Sequence, residues 1–411
     1  MLKIVYQNCC GLDVHKTFVV ACLAITDGHG ITTYKRHRFS TFTNGLRSLA
    51  DWLELYSCFD LCMESTGKYW IPVHNILEKR DIRITLAHPK YVKAIRGKKT
   101  DKKDAQWIAD LFKHDLVAGS FMPPADIRQL RDLLRYRFKL TNFTSSEKNR
   151  FQNSLTVSNI QLASVVSDTF GKSASKIIER ILENPLEPDV DLPSLIHGSL
   201  KKKLPELELA IDGVITPEQA EKMKLIKQHY EQLVANKQAL ETIILELAKP
   251  YAKEIELIQS TPGFGSSMMS SISVISEIGV DMTKFYSAKH LCSWAGLTPT
   301  NNESAGKKHS VRISRAGCYL KPLLVQIANA VVRSPKHPEI RNRYLALKKR
   351  RGHKRAIIAI ARQLLTAIYH MLSEHVVYTP PVIKEQNQPT RAMTVEAAIQ
   401  FAKQHGFRVT A

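Results

Sequence analysis

The sequence of 411 residues predicts an α/β domain with a mixed sheet and flanking helices, followed by an all-α region. Strand-like and helix-like runs alternate between residues 3 and 116, and the first three strand-like runs are consecutive. Consecutive strands followed by helix–strand alternation are typical of a mixed sheet covered by helices. From about residue 125 the apolar residues recur at helical spacing instead.

Each element of the first domain has its own pattern. The runs "KIVYQNCCGLDVH" and "TFVVACLAI" are β-rich, and the more polar "GITTYKRHRFST" is typical of an edge strand. Two further strands, "FDLCMES" and "IRITLAHP", are short and apolar. The predicted helices are "TNGLRSLADWLELY", with Leu46, Leu49, Trp52 and Leu53 on one face, "WIPVHNILEKR", and "TDKKDAQWIADLFKHDLV", with Trp107, Ile108 and Leu111 on its apolar side.

The helical region has three parts. Residues 127–155 begin with apolar residues at helical spacing, and residues 157–215 are predicted to be an insertion with a small core of its own. Four prolines interrupt this insertion: Pro185, Pro188, Pro193 and Pro205. Residues 218–248 show a heptad pattern, which predicts a coiled-coil helix whose partner lies in the chain or across a dimer. The seam is Met223, Ile226, Tyr230, Leu233, Leu240, Ile244 and Leu247, broken only by Lys237. An ordinary amphipathic helix on a globular core is the alternative.

A second compact domain is predicted over residues 255–375. It opens with "STPGFGSSMMSSISVISEIG", a glycine-punctuated turn between two apolar helices that is typical of a helix-hairpin-helix. Backbone N–H groups of such a turn can contact a DNA phosphate without reading sequence. The predicted organisation is therefore residues 1–125, residues 126–250 including the insertion, residues 255–375, and a loosely attached tail over residues 376–411.

The charge balance indicates a polyanionic partner. Lysine and arginine number 59 and acids 38, which gives a formal net charge of +21 and a pI near 9.6. Nucleic acid is the commonest partner of such a chain. A basic membrane-surface protein is the rival, but no long apolar span or lipidation motif supports it. The N-terminus lacks the apolar core of a signal peptide, so we expect a cytoplasmic, nucleoid-associated protein and no membrane partner.

The cysteines do not indicate a metal or disulfide framework. There are seven of them and none forms a CxxC pair, so we expect reduced, buried side chains.

A concentrated basic stretch lies near the C-terminus. Residues 333–355 hold ten lysines or arginines and one acid, Glu339. Such a stripe suits phosphate contacts, although a solvated basic surface is the alternative. The residues that we expect to contact nucleic acid here are Lys348, Lys349, Arg350 and Arg351.

Four acids of the first domain lie at positions where a carboxylate is unusual unless it has a function. Asp13 and Glu64 each end an apolar strand, and strand ends that border loops commonly present functional side chains. Asp101 and Asp104 are three residues apart, so on a helix they share one face. Each acid alone has another explanation: a turn cap for Asp13, an ion pair with Lys68 for Glu64, an N-cap for Asp101.

Together, the four carboxylates predict a divalent metal site. Four acids around one pocket would repel each other and retain protons, and Mg²⁺ neutralises such a cluster with the hard oxygen ligands it prefers. Two such ions about 4 Å apart clamp the attacking and leaving oxygens of a phosphodiester displacement. Mn²⁺ is the alternative ion. The neighbouring lysines, expected to hold the DNA backbone over the metal, are Lys98, Lys99, Lys102 and Lys103.

The order and surroundings of these acids resemble a known family. "GLDVHK", "MESTGKYW" and "KTDKKDAQWIADL" are similar to motifs of the DEDD transposases of the insertion-sequence family called "one-ten", including its "eleven-eleven" branch. The segment "FYSAKHLCSWAGLTPTNNESAGKKHSVRISRAGCYLKPLL" resembles the C-terminal transposase domain of that family. The resemblance covers roughly residues 5–375 and implies a RuvC-like ribonuclease-H fold. It implies that Asp13, Glu64, Asp101 and Asp104 are the four acids.

The resemblance also implies that Ser304, in "NNESAGK", is the nucleophile that attacks DNA and forms a phosphoserine intermediate. A serine hydroxyl needs an activating base or cation, and the cations that follow it could hold a scissile phosphate. These are Lys307, Lys308, His309 and Arg312. The alternative is that Ser304 is an ordinary turn residue with no catalytic role. Ser310 and Ser314 are then the reserve candidates for the nucleophile. Because the serine and the acids lie in different predicted domains, we expect them to meet, with a homodimer, or a tetramer on DNA, providing the assembly.

Resemblance further implies a structured non-coding guide RNA, a bridge RNA, that pairs with target and donor DNA. The basic charge is compatible with RNA, but no RNA-binding signature is evident. The sequence thus favours an RNA-guided, serine-using DNA recombinase. Two alternatives remain open: a Holliday-junction nuclease in which metal-activated water attacks, and a non-catalytic nucleic-acid-binding scaffold.

Overall fold

A computed structural model describes residues 2–65, 67–92, 101–299, 302–304, 307–310, 312–380 and 395–406. It does not describe the side chains of residues 90, 91, 102, 302–304, 307–310 and 397. The chain divides into two compact units, Met1–Ala125 and Asp126–Ala411.

The first unit is built on a five-stranded mixed sheet with strand order β3-β2-β1-β4-β5. The strands are β1 (Asn8–Val14), β2 (Phe18–Thr26), β3 (Thr32–Ser40), β4 (Asp60–Glu64) and β5 (Arg83–Ala87). The first three form an antiparallel meander, whereas β4 pairs with β1, and β5 with β4, in parallel. The predicted α/β fold class, with a ribonuclease-H/RuvC-like sheet, is confirmed.

Helices cover both faces of this sheet. They are α1 (Thr43–Leu55), α2 (Trp70–Leu77), α3 (Pro89–Val92) and α4 (Asp101–Lys113). One face packs apolar residues of α1 and α2, including Leu49 and Leu77, against Leu12. The opposite face receives α4, whose Ala105, Ile108, Ala109 and Phe112 are buried. Trp107 and Leu111, expected on the apolar side of α4, are only half-buried because Ala105 and Ala109 form the closest contact with the sheet.

Gly11 of β1 sets how closely α4 approaches the sheet. A Cβ added at Gly11 would lie 2.3 Å from the carbonyl oxygen of Ala105 and 2.4 Å from the backbone nitrogen of Ala109. Real Cβ atoms do not tolerate such distances, so only glycine permits this helix position.

The second unit begins with long helices. Helix α5 (Ala125–Val157) and helix α10 (Pro217–Ala248) have 33 and 32 residues. Arg137 of α5 pairs with Glu241 of α10, and Glu147 of α5 with His229, so the two helices run antiparallel. The partner helix of the predicted coiled coil therefore lies in the same chain.

The predicted heptad seam is correct for most of its length and wrong at its end. Met223, Leu233 and Leu240 are buried, but Leu247 is 38% exposed and Ala248 is buried in its place. A straight helix of 3.6 residues per turn drifts about 20° per heptad away from a 3.5-residue repeat, which moves the buried face by one residue.

The insertion between α5 and α10 folds around a hydrophobic cluster of its own, which includes Leu155, Ile177 and Leu207. Its helices are α6 (Leu162–Val165), α7 (Lys172–Glu183), α8 (Leu192–Leu195) and α9 (Leu204–Ala210). The sequence suggested that Pro193 and Pro205 interrupt helices, but they do not. They lie in the first turn of α8 and α9, where the missing N–H costs nothing.

The remaining elements of the second unit are mainly helical. They are α11 (Ala252–Gln259), α12 (Met268–Ile278), α13 (Ala288–Trp294), β6 (Asn302–Ser304), β7 (Lys307–Ser310), α14 (Leu320–Arg333), α15 (Pro338–Arg351), α16 (His353–Glu374) and α17 (Val395–Gln404). Helices α11 and α12 form the predicted helical hairpin, with Gly263 of its turn at φ +88°. Helix α17 lies in the predicted tail, where no helix was expected.

Helix α16 is, in the part of the chain that the structure describes, the one helix long and apolar enough to cross a membrane. It packs against α13, α14 and α15, and Ile360, Leu364 and Ile368 are buried. These contacts are those of a central core helix.

Two smaller expectations need correction. Strand β1 begins at Asn8 rather than at Lys3. Cys318 is exposed, whereas the other six cysteines are buried as expected and all seven are free. Burial raises the pKa of the Cys9 and Cys62 thiols to about 12, so both stay protonated at neutral pH.

Substituting Gly11 tests the fit between β1 and α4. Gly11→Ala is expected to lower the free energy of unfolding by about 1–3 kcal/mol or more, because the added methyl group must push α4 off the sheet. Urea unfolding of the full chain, followed by circular dichroism, measures the change. Gly28→Ala is the matched control: a Cβ there meets nothing within 4 Å, and its effect should stay within about 0.5 kcal/mol. Equal effects of the two variants would contradict the close approach.

Candidate metal centre and serine hairpin

Asp13 and Glu64 lie at matching ends of neighbouring strands. Leu12 of β1 pairs with Met63 of β4 in parallel register, and the two acids follow these residues directly. Side chains alternate along a strand, so Asp13 lies on the face of Gly11, and Glu64 on the face of Cys62. Both of these faces pack against α4. The two acids therefore occupy adjacent strands on the α4 side of the sheet.

Helix α4 supplies the other two acids from its first turn. It begins at Asp101, and Asp104 follows three residues later. Acidic groups are favoured at this end of a helix because the backbone N–H groups there carry partial positive charge. Since Ala105 contacts Gly11, two residues before Asp13 on the same strand face, the first turn of α4 lies beside the end of β1.

His15 connects the two pairs of acids. Its Nε2 atom lies 3.1 Å from Oδ2 of Asp13 and 3.6 Å from Oδ1 of Asp101. The imidazole ring packs against Phe18 with 4.5 Å between ring centroids. The guanidinium of Arg38 lies 3.6 Å from the centroid of Phe18 on β2. The ring of His15 thus packs against an aromatic side chain that is itself covered by a guanidinium group.

The electrostatics of Asp13 show that its carboxylate is crowded. Burial raises the pKa of Asp13 above its usual value, the hydrogen bond and charge of His15 oppose this, and the nearby Asp104 and Asp101 raise the pKa further. Three of the four predicted acids therefore interact electrostatically at one place. Glu64 is placed there by strand register.

The residues present fit a divalent cation. One ligand atom each from Asp13, His15 and Asp101 lies within 4.8 Å of the other two. Carboxylate oxygens are hard ligands suited to Mg²⁺ and Mn²⁺, and a cation removes the repulsion that raises the pKa of Asp13. The side chain of Asp101 is 51% exposed, so the site opens to solvent on the α4 side.

The four lysines predicted beside the acids are only partly described. Lys103 is exposed on α4. Lys98 and Lys99 lie outside the described residues, as does the side chain of Lys102.

Ser304 lies in a small antiparallel hairpin in the second unit. It is the last residue of β6 and pairs with Lys307 of β7. Only the backbone is described for Ser304, Lys307 and Lys308. Of the reserve serines, Ser310 pairs with Asn302 in the same hairpin, while the Ser314 hydroxyl accepts a hydrogen bond from the backbone N–H of Ala316.

The segment that leaves this hairpin is fixed to the end of α13. Gly296 and Gly317 both have positive φ angles, +70° and +66°. A Cβ on Gly317 would lie 2.2 Å from the carbonyl oxygen of Ala295, and one on Gly296 would lie 2.6 Å from that of Ala316. The Lys321 ammonium group donates to the carbonyl oxygen of Ser314 at 2.7 Å. The C-terminal side of the serine hairpin therefore has a rigid attachment.

The basic stripe is exposed. The side chains of Lys348, Lys349, Arg350 and Arg351 in the last turns of α15 are all solvent-exposed. Arg312, just after the hairpin, is also exposed. Cations at the C-terminal end of a helix are favourably placed in the helix dipole, and here they make an exposed, positively charged surface.

Sequence reasoning missed His15. The residue stands in "DVHK", two positions after Asp13, and alternation along an extended chain places such residues on the same side. That spacing could have indicated His15, whereas its contact with Asp101 depends on the tertiary position of α4.

Comparisons with known proteins agree with this architecture. Residues 10–160 match the DEDD model of the IS110 group, described as "Transposase", and residues 255–345 match "Transposase IS116/IS110/IS902 family". The chain is 24% identical over 300 residues to the transposase for insertion sequence element IS1111A of Coxiella burnetii, covering 71% of this chain and 72% of that protein. It is 32% identical over 138 residues to the insertion element IS900 uncharacterized 42 kDa protein of Mycobacterium paratuberculosis, covering 31% and 32%.

Among solved structures, fowlpox virus resolvase in complex with Holliday junction DNA matches 26% of this chain and 72% of its own, at 14% identity. The TM-score of this match is 0.18.

The first unit has a ribonuclease-H-like sheet with acids at its strand ends. Together with the matches of residues 10–160 and 255–345 to transposase families, this identifies a DNA transposase. The chain belongs to the IS110, or "one-ten", family of insertion-sequence transposases, which confirms the resemblance and the expected enzyme class.

Neutralising Asp13 should stabilise the metal-free protein. A carboxyl group whose pKa is raised on folding favours the folded state less as pH rises through that pKa, so at pH 7 the ionised Asp13 is destabilising. We expect Asp13→Asn to have a higher Tm than the wild type in EDTA at pH 7, with the difference shrinking toward pH 4.

Thermal unfolding across this pH range measures the effect. Asp51→Asn is the control, because Asp51 is an exposed acid paired with Arg80 and its removal should give no gain. Addition of Mn²⁺ should raise the Tm of the wild type and leave that of Asp13→Asn nearly unchanged. A lower Tm of Asp13→Asn in EDTA would contradict the crowding of this carboxylate.

Proposed function

We propose that this transposase cuts and rejoins DNA strands through a phosphoserine intermediate on Ser304, with Mg²⁺ or Mn²⁺ held by Asp13, Glu64, Asp101 and Asp104. The observation that carries the proposal is the convergence of Asp13, His15 and Asp101 on one point at the end of β1, with Asp104 raising the pKa of Asp13. Such a cluster is unfavourable without a cation, and its residue types are those of metal-dependent phosphoryl transfer.

Ser304 supplies the nucleophile in this proposal. Its Oγ attacks the scissile phosphorus, the Oγ–P bond forms, the P–O bond to one DNA strand end breaks, and the hydroxyl proton ends on the released DNA oxygen. A bound divalent cation would neutralise the negative charge that develops on the phosphate. The hydroxyl group of the incoming DNA strand then attacks the phosphorus of the phosphoserine. A new P–O bond to that strand forms, the Oγ–P bond breaks, and the proton returns to Ser304. Each phosphodiester is exchanged for a phosphoserine linkage, so neither hydrolysis nor ATP is required.

Basic residues hold the DNA backbone around both centres. Lysines flank the acids in sequence, from Lys98 to Lys103, and Lys307, Lys308 and Arg312 follow the serine. The exposed basic turns of α15 extend the phosphate-binding surface in the second unit. The net charge of +21 supports donor and target DNA as the partners.

Strand exchange requires a homo-oligomer in this proposal. Two DNA ends must be held at once, and the acids and Ser304 lie in different units. We propose a dimer that forms a tetramer on DNA. The elongated pair α5 and α10 provides surface for it, with Tyr136, Phe143 and Ile243 exposed. The protein acts where chromosomal DNA is, in the bacterial cytoplasm and at the nucleoid.

A structured bridge RNA would read the target and donor sequences by base pairing. Family membership and the strongly basic surface support this part of the proposal. The protein would then contact backbone shape and need few residues that read base edges.

Trapping a covalent adduct tests the nucleophile. Wild-type protein incubated with element-end DNA, the RNA that copurifies with it, and Mg²⁺ should give a protein–DNA adduct on denaturing gels. Ser304→Ala should abolish adduct and strand transfer, whereas Ser310→Ala and Ser314→Ala, the matched controls, should retain both. The mass of the adduct peptide places the phosphate. Cutting by Ser304→Ala, or cutting by the wild type without an adduct, would indicate attack by water and a junction nuclease instead.

Charge removal on α15 tests the phosphate-binding surface. Each of Lys348→Gln and Lys349→Gln should weaken binding equally for all sequences and reduce the slope of log Kd against log salt by about 1. Titrations at several salt concentrations, with duplex DNA and separately with RNA, measure the slope. Lys224→Gln is the control, because Lys224 is an exposed lysine paired with Glu221 on α10. A slope unchanged in both α15 variants would show that this surface is only solvated.

A further inference from the structure

We infer that His15 is a direct ligand of the divalent ion, so that the centre has a nitrogen donor in addition to its carboxylates. The inference rests on the proposed metal site and deepens it. It changes which ions the site prefers, since an imidazole in the coordination shell favours later transition metals over Mg²⁺.

The first argument is the position of Nε2. It lies 3.1 Å from Oδ2 of Asp13 and 3.6 Å from Oδ1 of Asp101, and the three candidate ligand atoms fall within 4.8 Å of each other. In six-coordinate geometry with bonds of about 2.1 Å, neighbouring ligand atoms are about 3.0 Å apart and opposite ones about 4.2 Å. Both distances from Nε2 lie between these two values. Small side-chain adjustments would therefore place the three atoms around one ion, with β1 and α4 unmoved.

The second argument is that the imidazole is already oriented. The backbone N–H of His15 donates to the carbonyl oxygen of Phe18 at 2.9 Å, which closes the turn between β1 and β2. The ring packs on Phe18, and Arg38 covers Phe18 with its guanidinium. These contacts fix the backbone and one side of the ring, so that Nε2 faces the acids. A ligand held this way loses little conformational freedom on metal binding.

A simpler role for His15 is to bridge two acids as a cation. That role explains the two short distances equally well, but it leaves no histidine nitrogen in the coordination shell. It also predicts that a metal ion, by neutralising the acids, makes His15 dispensable. The two roles therefore differ in an observable other than activity.

Pulsed EPR of bound Mn²⁺ distinguishes them. The full chain with one equivalent of Mn²⁺ should show hyperfine coupling to a ¹⁴N nucleus, and the coupling should change to the ¹⁵N pattern when histidine is ¹⁵N-labelled. His15→Gln should lose the coupling and bind Mn²⁺ about 10-fold more weakly or worse. Its affinity for Mg²⁺ should fall by a smaller factor, about 3-fold at most.

His37→Gln is the matched control. His37 is an exposed histidine on β3 whose ring packs with Phe39 and Trp52, on the face opposite α4. Its replacement should leave the nitrogen coupling intact.

Mn²⁺ that binds to the wild type without any nitrogen coupling would overturn the inference. The wild-type spectrum alone decides this, even if His15→Gln does not fold. This outcome leaves the proposed function standing, because Mn²⁺ is then held by carboxylates. Failure of the proposed function would appear differently, as strand transfer and adduct formation that survive in Asp13→Asn and Asp104→Asn.

Discussion

The contact between Gly11 and α4 is the constraint on which the acid cluster of the first unit depends. Two of the four acids come from strand ends and two from α4, which begins 88 residues after Asp13 and 37 residues after Glu64. Strand register alone brings Asp13 to Glu64. Only the close approach of α4, with backbone atoms of Ala105 and Ala109 where a side chain of residue 11 would be, brings Asp101 and Asp104 to the same place.

The far end of α4 is anchored by polar contacts rather than by close packing. The buried ammonium group of Lys113 donates to Thr32 and Tyr34 of β3 and to Asp110 of its own helix. Helix α4 is therefore fixed at both ends, by a backbone contact near the acids and by a buried cation two to three turns away. A rigid helix is what a metal site needs, because ligand positions must hold within a few tenths of an ångström.

Much of this arrangement was predictable from local pattern. Strand alternation and apolar runs gave the five strands, and "NCCGLDV" and "DLCME" indicated acids at strand ends. What failed depended on tertiary context. Leu247 is exposed because helical drift moves the buried face, Pro193 and Pro205 begin helices rather than break them, and Ser304 ends a strand. His15 was missed because its contact with Asp101 comes from a helix distant in sequence, and residue spacing does not reveal such a contact.

We propose that the four acids of the first unit form one binding site for divalent ions. Anomalous diffraction from crystals grown with Mn²⁺ tests it most directly. We expect a strong anomalous peak within about 2.1–2.3 Å of carboxylate oxygens of Asp13 and Asp101, with Glu64 and Asp104 completing the coordination of that ion or of a second one beside it. Saturating Mn²⁺ with no peak between β1 and the first turn of α4, and these side chains directed apart, would contradict it.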